Sequence, residues 1–175
     1  TYIPMGPFES AAQFAEVMSL VGAQQSWRTH LFRDVETGAP LGMASYMRIR
    51  PEAGSAEVGS VVFSKQLQRT PAATEAMYLM ARHLFDDLGY RRYEWKCNNA
   101  NEASKRAAIR LGFSFEGVFR QDQVVKGRNR DTAWYSIIDG EWPRVKAAFD
   151  AWLAPDNFDE ACGQRRSLME IREAL

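Results

Sequence analysis

The chain has 175 residues, of which 46% are hydrophobic and 25% are charged, and its 22 basic and 22 acidic residues cancel to a net charge of zero. This composition is typical of one globular domain with a substantial core. Because there is no basic excess, we expect no nucleic-acid partner. No apolar run approaches the roughly 20 residues of a membrane helix, so we expect no membrane partner and a cytoplasmic location.

Apolar periodicity and turn residues predict the order of the secondary structure. Ser10 is a suitable N-cap for a first helix that ends near Gly22. The later segments alternate between strands and helices, which favours a mixed α/β sheet with helices packed on its faces. After the first helix we predict strands at Trp27–Val35, Leu41–Ile49 and Ala56–Phe63, a helix at Pro71–Leu88, a strand at Arg92–Cys97, a helix at Glu102–Leu111, strands at Phe113–Val118 and Thr132–Ile138, and a helix at Trp142–Leu153.

We assign residues 1–154 to a single domain. The polar segment 155–175 is interpreted as a C-terminal tail that is either disordered or a helix lying on the partner subunit of a homodimer. The cysteines Cys97 and Cys162 lie far apart, with no metal-ligand spacing around either, so we expect reduced thiols and no metal site.

Two predicted helix starts carry candidate chemistry. Thr70 is a good N-cap and Pro71 fits the first helical position, which leaves the amides of Ala72–Thr74 free to bind an anion, with Arg69 beside them. The alternative is an ordinary capped helix. In the second start Asn101 is the N-cap and Ser104 lies in the first turn. If the preceding strands are parallel neighbours, both helix starts open on the edge where ligands bind in α/β sheets.

The pattern around these helix starts resembles the GNAT acetyltransferases. Asn101 and Ser104 are followed by the run Leu111-Gly112-Phe113 and then by Phe115-Glu116-Gly117, an order similar to that of the ribosomal-protein N-alpha-acetyltransferases. In the loop before the first helix, Gln68 and Ala73 match the ends of the family's phosphate-binding motif, while Pro71 replaces its central glycine. The resemblance extends roughly over residues 31–138.

The resemblance implies the GNAT fold, a central and mostly antiparallel twisted sheet with one parallel pair splayed at the CoA site and helices on both faces. The family's first strand has no clear counterpart before Tyr2, so we expect that strand to be missing from this chain. The resemblance also implies acetyl-CoA as co-substrate and no metal. By the same resemblance, the CoA-binding residues are Val61, Val62, Phe63, Gln68, Arg69, Thr70, Ala72, Ala73, Thr74, Asn101 and Ser104.

In such enzymes an amine attacks the thioester directly, which requires a proton acceptor and a donor for the departing thiolate. The resemblance places Ser104 near the sulfur, where it is the candidate acid. Glu57 and Asp122 are the candidate bases, and each has the alternative of a solvated strand carboxylate. Tyr135 is either a second acid, a residue lining the site or a core tyrosine.

The acceptor amine is not fixed by these residues. A protein N-terminus or a small-molecule amine is the leading expectation. A drug-modifying acetyltransferase and a non-catalytic CoA-binding GNAT domain are the alternatives. The basic residues Lys126, Arg128 and Arg130 are either a solvated turn or a contact for an acidic acceptor or for the 3′-phosphate of CoA.

Overall fold

The structure, a computed structural model, describes residues 5–161 and 163–175, so Cys162 lies outside the described residues. Its helices are α1 (Ala11–Gln24), α2 (Pro71–Arg82), α3 (Glu102–Arg110), α4 (Trp142–Leu153) and α5 (Leu168–Glu173). Its strands are β1 (Arg28–Arg33), β2 (Pro40–Arg50), β3 (Ser55–Phe63), β4 (Arg92–Asn98), β5 (Ser114–Val125) and β6 (Arg128–Ile138). They form one sheet in the order β1-β2-β3-β4-β6-β5.

Strands β3 and β4 are parallel neighbours, and every other adjacent pair in the sheet is antiparallel. The parallel pairing runs from Ser55, opposite Arg92, to Val58, opposite Trp95, and then stops. Both strands continue beyond this point without pairing to each other. The predicted splayed parallel pair is therefore confirmed.

A β-bulge lies where β3 separates from β4. Two residues of β3, Ser60 and Val61, lie opposite the single residue Ala44 of β2, and Ser60 has a left-handed φ of 51°. An extra residue in one strand bends that strand and increases its local twist. The bulge thus accounts for the gap between β3 and β4.

The core lies between one face of the sheet and the helices α2, α3 and α4. Tyr93 and Val58 on that face are almost fully buried, and the hydroxyl of Tyr46 donates a hydrogen bond of 2.6 Å to the carbonyl of Met80 in α2. The opposite face carries polar and charged side chains at its centre, among them the buried Glu57. Helix α1 contributes no buried side chain to either face.

Segment 155–175, which we predicted as a tail, packs against the rest of the chain. Leu168 and Ile171 of α5 are buried beside α4. Arg172 donates hydrogen bonds of 2.9 Å to the carbonyls of Ile109 and Arg110, at the C-terminal end of α3. The Ile109 carbonyl also accepts a hydrogen bond of 3.1 Å from the amide of Gly112, and a cation is favourable at this end of a helix.

Two predicted elements were wrong in their bounds. The connection predicted before Thr132 is only the turn Lys126–Gly127, with φ values of 53° and 72°, because two left-handed residues allow the tight turn of a two-residue hairpin. The helix predicted to reach Leu88 is α-helical only to Arg82 and continues as a π-helical turn, His83–Asp87. Within the described part of the chain, no helix is long and apolar enough to cross a membrane.

Candidate active site

The start of α2 has the predicted cap. The hydroxyl of Thr70 accepts a hydrogen bond of 3.3 Å from the amide of Ala73 and donates one of 2.7 Å to the carbonyl of Leu67. The prediction that the Ala73 amide is free was therefore wrong, since the N-cap occupies it. Pro71 occupies the first turn as predicted.

Other backbone groups near this cap remain accessible. Among the described residues, the amides of Arg69 and Ala72 find no acceptor. Arg69 has a left-handed φ of 63°, and its side chain is exposed. The side-chain amide of Gln68 donates a hydrogen bond of 2.8 Å to the carbonyl of Phe63, which ties this loop to the end of β3.

The open edge of β3 borders the gap. Ser64 donates a hydrogen bond of 2.8 Å to Leu41, so its backbone faces β2. Because successive residues of an antiparallel strand direct their backbone groups to opposite edges, Val62 also faces β2, while Val61 and Phe63 face the gap. The predicted set Val61–Phe63 thus presents two residues, not three, to a ligand in the gap.

The start of α3 follows the end of β4 at the same edge of the sheet. The side chain of Asn101 caps the helix by accepting a hydrogen bond of 3.2 Å from the amide of Ser104. The indole of Trp95 donates a hydrogen bond of 3.0 Å to the Ser104 hydroxyl. Since that hydroxyl accepts from Trp95, its own proton is directed elsewhere.

Tyr135 and Cys97 lie on the same side of the sheet as Ser104. Tyr135 is opposite Trp95 on the neighbouring strand β6 and is 3% exposed. Burial raises the pKa of Tyr135, and the nearby Cys97 adds to the rise. Burial likewise raises the pKa of the Cys97 thiol, against the opposing influence of Ser104.

Glu57 lies on the opposite face of the sheet. Its side chain is 3% exposed, and its Oε2 is 3.1 Å from Lys96 Nζ and 3.8 Å from Arg48 Nε. These contacts are close enough for ion pairing, but Oε2 has no well-aligned hydrogen bond in the described chain. Burial raises the pKa of the Glu57 carboxyl, while Lys96 and Arg48 oppose that rise.

The indole ring of Trp134 joins these two cations. The Arg48 guanidinium lies 4.9 Å and the Lys96 ammonium 5.3 Å from its ring centroid, distances typical of cation–π contacts. Sequence reasoning did not find Arg48 or Lys96. The signal for Lys96 was the alternation of β4, in which Glu94 and Lys96 face away from the apolar Trp95.

A cavity of about 380 Å³ opens beside this cluster. Asp122 lies on its rim and is exposed, and Glu116 forms a two-point ion pair with Arg92 at 2.6–2.7 Å. The cavity is lined by Arg48, Arg92, Glu116, Gly117, Phe119, Asp122 and Trp134. In residues 5–161 and 163–175, no group of three His, Cys, Asp or Glu side chains is arranged to hold a metal ion.

The four predicted catalytic residues therefore form two pairs on opposite faces of the sheet. Ser104 and Tyr135 lie on the face covered by α3, whereas Glu57 and Asp122 lie on the face with the cavity. Strands β3 and β4 stop pairing after Val58 and Trp95, close to both pairs.

Residues 2–114 match the model of a protein family that is described as an acetyltransferase (GNAT) domain. The chain belongs to the GNAT acetyltransferases. The predicted mixed α/β fold of the chain is confirmed by its similarity to a solved structure. The crystal structure of a GCN5-related N-acetyltransferase from Brucella melitensis matches it with a TM-score of 0.92 and 46% sequence identity. That match covers 98% of this GNAT chain and 78% of the other.

More distant relatives carry more specific names. The ribosomal-protein-serine acetyltransferase of Escherichia coli (strain K12) is 28% identical over 102 residues, which are 58% of this GNAT chain and 56% of that protein. The matches to three curated relatives, two from Bacillus subtilis and one from Escherichia coli, cover 56–59% of the length of those proteins. The chain therefore spans less than two thirds of their length. A Vibrio cholerae spermidine N-acetyltransferase, solved with CoA and spermine, shares the fold with a TM-score of 0.66 and 18% identity, covering 81% of this chain and 83% of its own.

Proposed function

We propose that the chain is an N-acetyltransferase that transfers the acetyl group of acetyl-CoA to a primary amine by direct attack. The observation that carries this proposal is the gap between β3 and β4, bordered by two helix starts in a chain of the GNAT family. Thr70, Ala72 and Thr74 belong to the first start, where accessible amides and the helix dipole suit the pyrophosphate of CoA. Arg69 adds a cation beside them.

The pantetheine arm of the co-substrate fits the gap itself. The backbone groups of Val61 and the amide of Phe63 face the gap and suit pairing with the amides of that arm, while the Phe63 carbonyl is used by Gln68. The Nδ2 group of Asn101 is a further donor, because its helix cap uses only the oxygen of the same side chain. The acetyl thioester then lies between the two faces of the sheet, close to Ser104.

The acid–base roles follow from the division of the candidates between the faces. The amine nitrogen attacks the carbonyl carbon, the C–S bond breaks, and the products are an N-acetylated amine and CoA. Glu57 is the proposed acceptor of the amine proton, since a carboxylate whose pKa is raised by burial is a better base near neutral pH. Ser104 donates to the departing sulfur and recovers its proton from water. Asp122 and Tyr135 are the second candidates for the two roles.

The proposed acceptor is a protein α-amine or a small primary amine. The names of the ribosomal-protein relatives support the first. An α-amine has a pKa of about 7.7–8.0, so a substantial fraction is neutral at physiological pH and needs little help from a base. The cavity beside Trp134 is lined by two arginines and two carboxylates, Arg48, Arg92, Glu116 and Asp122. This lining suits an acceptor that carries both positive and negative groups.

Calorimetric titration with acetyl-CoA tests the donor half of this proposal. We expect one site per chain and similar binding of CoA, which shares every group except the acetyl. A folded chain that gives no heat with either ligand would remove the proposal. Binding of both ligands without acetylation of any amine would favour the alternative of a non-catalytic CoA-binding domain.

A further inference from the structure

Arg130 is a largely buried cation of strand β6. The residue is only 9% exposed, and its Nε finds no hydrogen-bond acceptor. None of the ion pairs within residues 5–161 and 163–175 includes it. Burial of an N–H donor such as the Arg130 Nε without an acceptor is unfavourable. The burial of Arg130 therefore points to a compensating group that comes from a ligand.

Two further residues of the same strand have unsatisfied polar atoms. Thr132 is fully buried and its hydroxyl has no hydrogen-bond partner in the described chain, and the same holds for the indole nitrogen of the half-buried Trp134. Arg130, Thr132 and Trp134 are alternate residues of β6, called here the β6 row, and alternate residues of a strand share a face. Buried polar groups are normally paired, so three in a row form a set of donors awaiting acceptors.

The β6 row runs along the edge where the donor site lies. Thr132 pairs with Asn98, the last residue of β4, so Arg130 lies beyond the end of that strand. The amide of Asn99 donates a hydrogen bond of 2.8 Å to the carbonyl of Asp131, which joins β6 to the loop leading into α3. The charge of Arg130 also reaches Cys97, where it opposes the effect of burial on the pKa of the thiol.

Arg128 provides an internal contrast. It lies two residues earlier in the same hairpin and is exposed to solvent. The hairpin turn therefore explains a solvated arginine at position 128 but not a buried one at position 130. Of the two arginines, Arg128 is therefore solvated and Arg130 is largely buried.

We propose that the β6 row binds an anionic oxygen group, a carboxylate or a phosphate, of a ligand at this edge of the sheet. The guanidinium of Arg130 supplies N–H donors to such a group, and the hydroxyl of Thr132, the next residue of the row, supplies one more. Because it places this group beside the acetyl-transfer site, the assignment rests on the proposed function. The group comes from one of two sources: a carboxylate of the acceptor next to its amine, or a phosphate of CoA.

The test compares the native chain with Arg130→Met and with the matched control Arg128→Met. Each is titrated with inorganic phosphate and with acetate, without acetyl-CoA, so the result does not depend on catalysis. We expect the native chain and Arg128→Met to bind the anion and Arg130→Met to bind it at least about tenfold more weakly, a loss of one hydrogen-bonded charge pair. The ligand-free Arg130→Met protein should be as stable as the native one or more so, because an uncompensated charge has been removed.

A second pair of titrations identifies the source of the anion. If Arg130→Met weakens binding of acetyl-CoA but not of S-acetylpantetheine, which lacks the nucleotide phosphates, the group is a phosphate of CoA. If the Arg130→Met protein binds acetyl-CoA and S-acetylpantetheine normally but no longer binds the anion at saturating acetyl-CoA, the group belongs to the acceptor.

Equal anion affinity of the native and Arg130→Met proteins would overturn the assignment, as would a less stable Arg130→Met protein with unchanged anion binding. Arg130→Gln, which removes the charge but keeps a polar side chain, replaces Arg130→Met if the latter does not fold. Absence of acetyl-CoA binding in the native chain contradicts the proposed function instead.

Discussion

Lys96 Nζ lies 3.1 Å from Glu57 Oε2, and this ion pair joins the two parallel strands at the point where they separate. Its carboxylate is buried, while the ammonium is partly exposed. The pair therefore holds a charge at a position where burial alone favours the neutral acid. This balance sets the pH range in which Glu57 is able to accept a proton.

Replacement of Lys96 by methionine tests the role of that balance. Burial raises the pKa of Glu57 and Lys96 opposes the rise, so loss of Lys96 raises the pKa further. A base must be ionised to act, and the acidic limb of kcat/KM against pH is therefore expected to move to higher pH. Lys96→Arg, which keeps the charge, should restore the native profile. An unchanged acidic limb in Lys96→Met would show that Glu57 is not the base.

Replacement of Ser104 by alanine tests the proposed acid. The loss of a proton donor is expected to lower kcat by roughly 10²-fold, the lower range for general acid catalysis, with little change in the Kd of acetyl-CoA. Trp95→Phe is the control, because it removes the indole donor to the hydroxyl while leaving the hydroxyl in place. Native turnover in Ser104→Ala would leave Tyr135 as the candidate acid.

The cation at the start of α2 is tested by Arg69→Gly. Arg69 has a left-handed backbone, which glycine adopts without strain, so this variant removes the charge and preserves the loop. We expect acetyl-CoA to bind about tenfold more weakly, as for loss of one charge-assisted hydrogen bond, and S-acetylpantetheine to bind as before. Lys65→Ala removes an exposed cation from the same loop and should change neither affinity. Equal weakening for both ligands would place Arg69 away from the pyrophosphate.

The close contact between β2 and the end of β3 is tested by Gly42→Ala. A Cβ atom at position 42 would lie 2.7 Å from the carbonyl oxygen of Val62, so the backbone of β3 must move beside the gap. Overpacking of this kind costs about 1–3 kcal/mol, and we expect weaker binding of acetyl-CoA as well. At Gly22 an added Cβ meets no atom within 4 Å, which makes Gly22→Ala the control. If Gly42→Ala binds acetyl-CoA normally, the ligand does not depend on the position of that strand end.

Arg172 is expected to stabilise the C-terminal end of α3. Its two hydrogen bonds to the carbonyls of Ile109 and Arg110 disappear in Arg172→Met, at a cost of about 1–2 kcal/mol. For a chain of this size, Tm should fall by roughly 2–8 °C in a thermal unfolding experiment. Arg166→Met alters an exposed arginine of the same segment and should leave Tm nearly unchanged. Equal Tm values for the two variants would contradict a capping role for Arg172.

The parts of the fold that local chemistry determines were predictable from the sequence. The N-caps Thr70 and Asn101 were found because a cap depends only on residues within one helical turn. The splayed parallel pair at the gap was predicted through the resemblance to the GNAT family, because the alternation of strands and helices by itself left that pairing open. The length of the β5–β6 hairpin was missed because its bulges, including the left-handed Gln121, interrupt the alternation of apolar and polar residues.

The polar cluster around Glu57 was harder to predict. Glu57 itself was a candidate, but its partners Arg48 and Lys96 lie on two other strands and meet it only through the strand register. The register of β2 shifts by one residue near Arg48, and no local pattern announces that shift. The burial of Arg130 was missed for a related reason, since the sequence left a solvated turn and a ligand contact equally open and gave no sign that Arg130 differs from Arg128.

The most direct test of the proposed function is an acetyl-transfer reaction followed by mass spectrometry. The native chain is incubated with acetyl-CoA and a panel of peptides with free α-amines and of small primary amines, and the released CoA thiol is measured in parallel. We predict at least one acceptor that gains one acetyl group per molecule of CoA released, with loss of the product in Glu57→Gln. Binding of acetyl-CoA without acetylation of any amine in the panel would contradict the account.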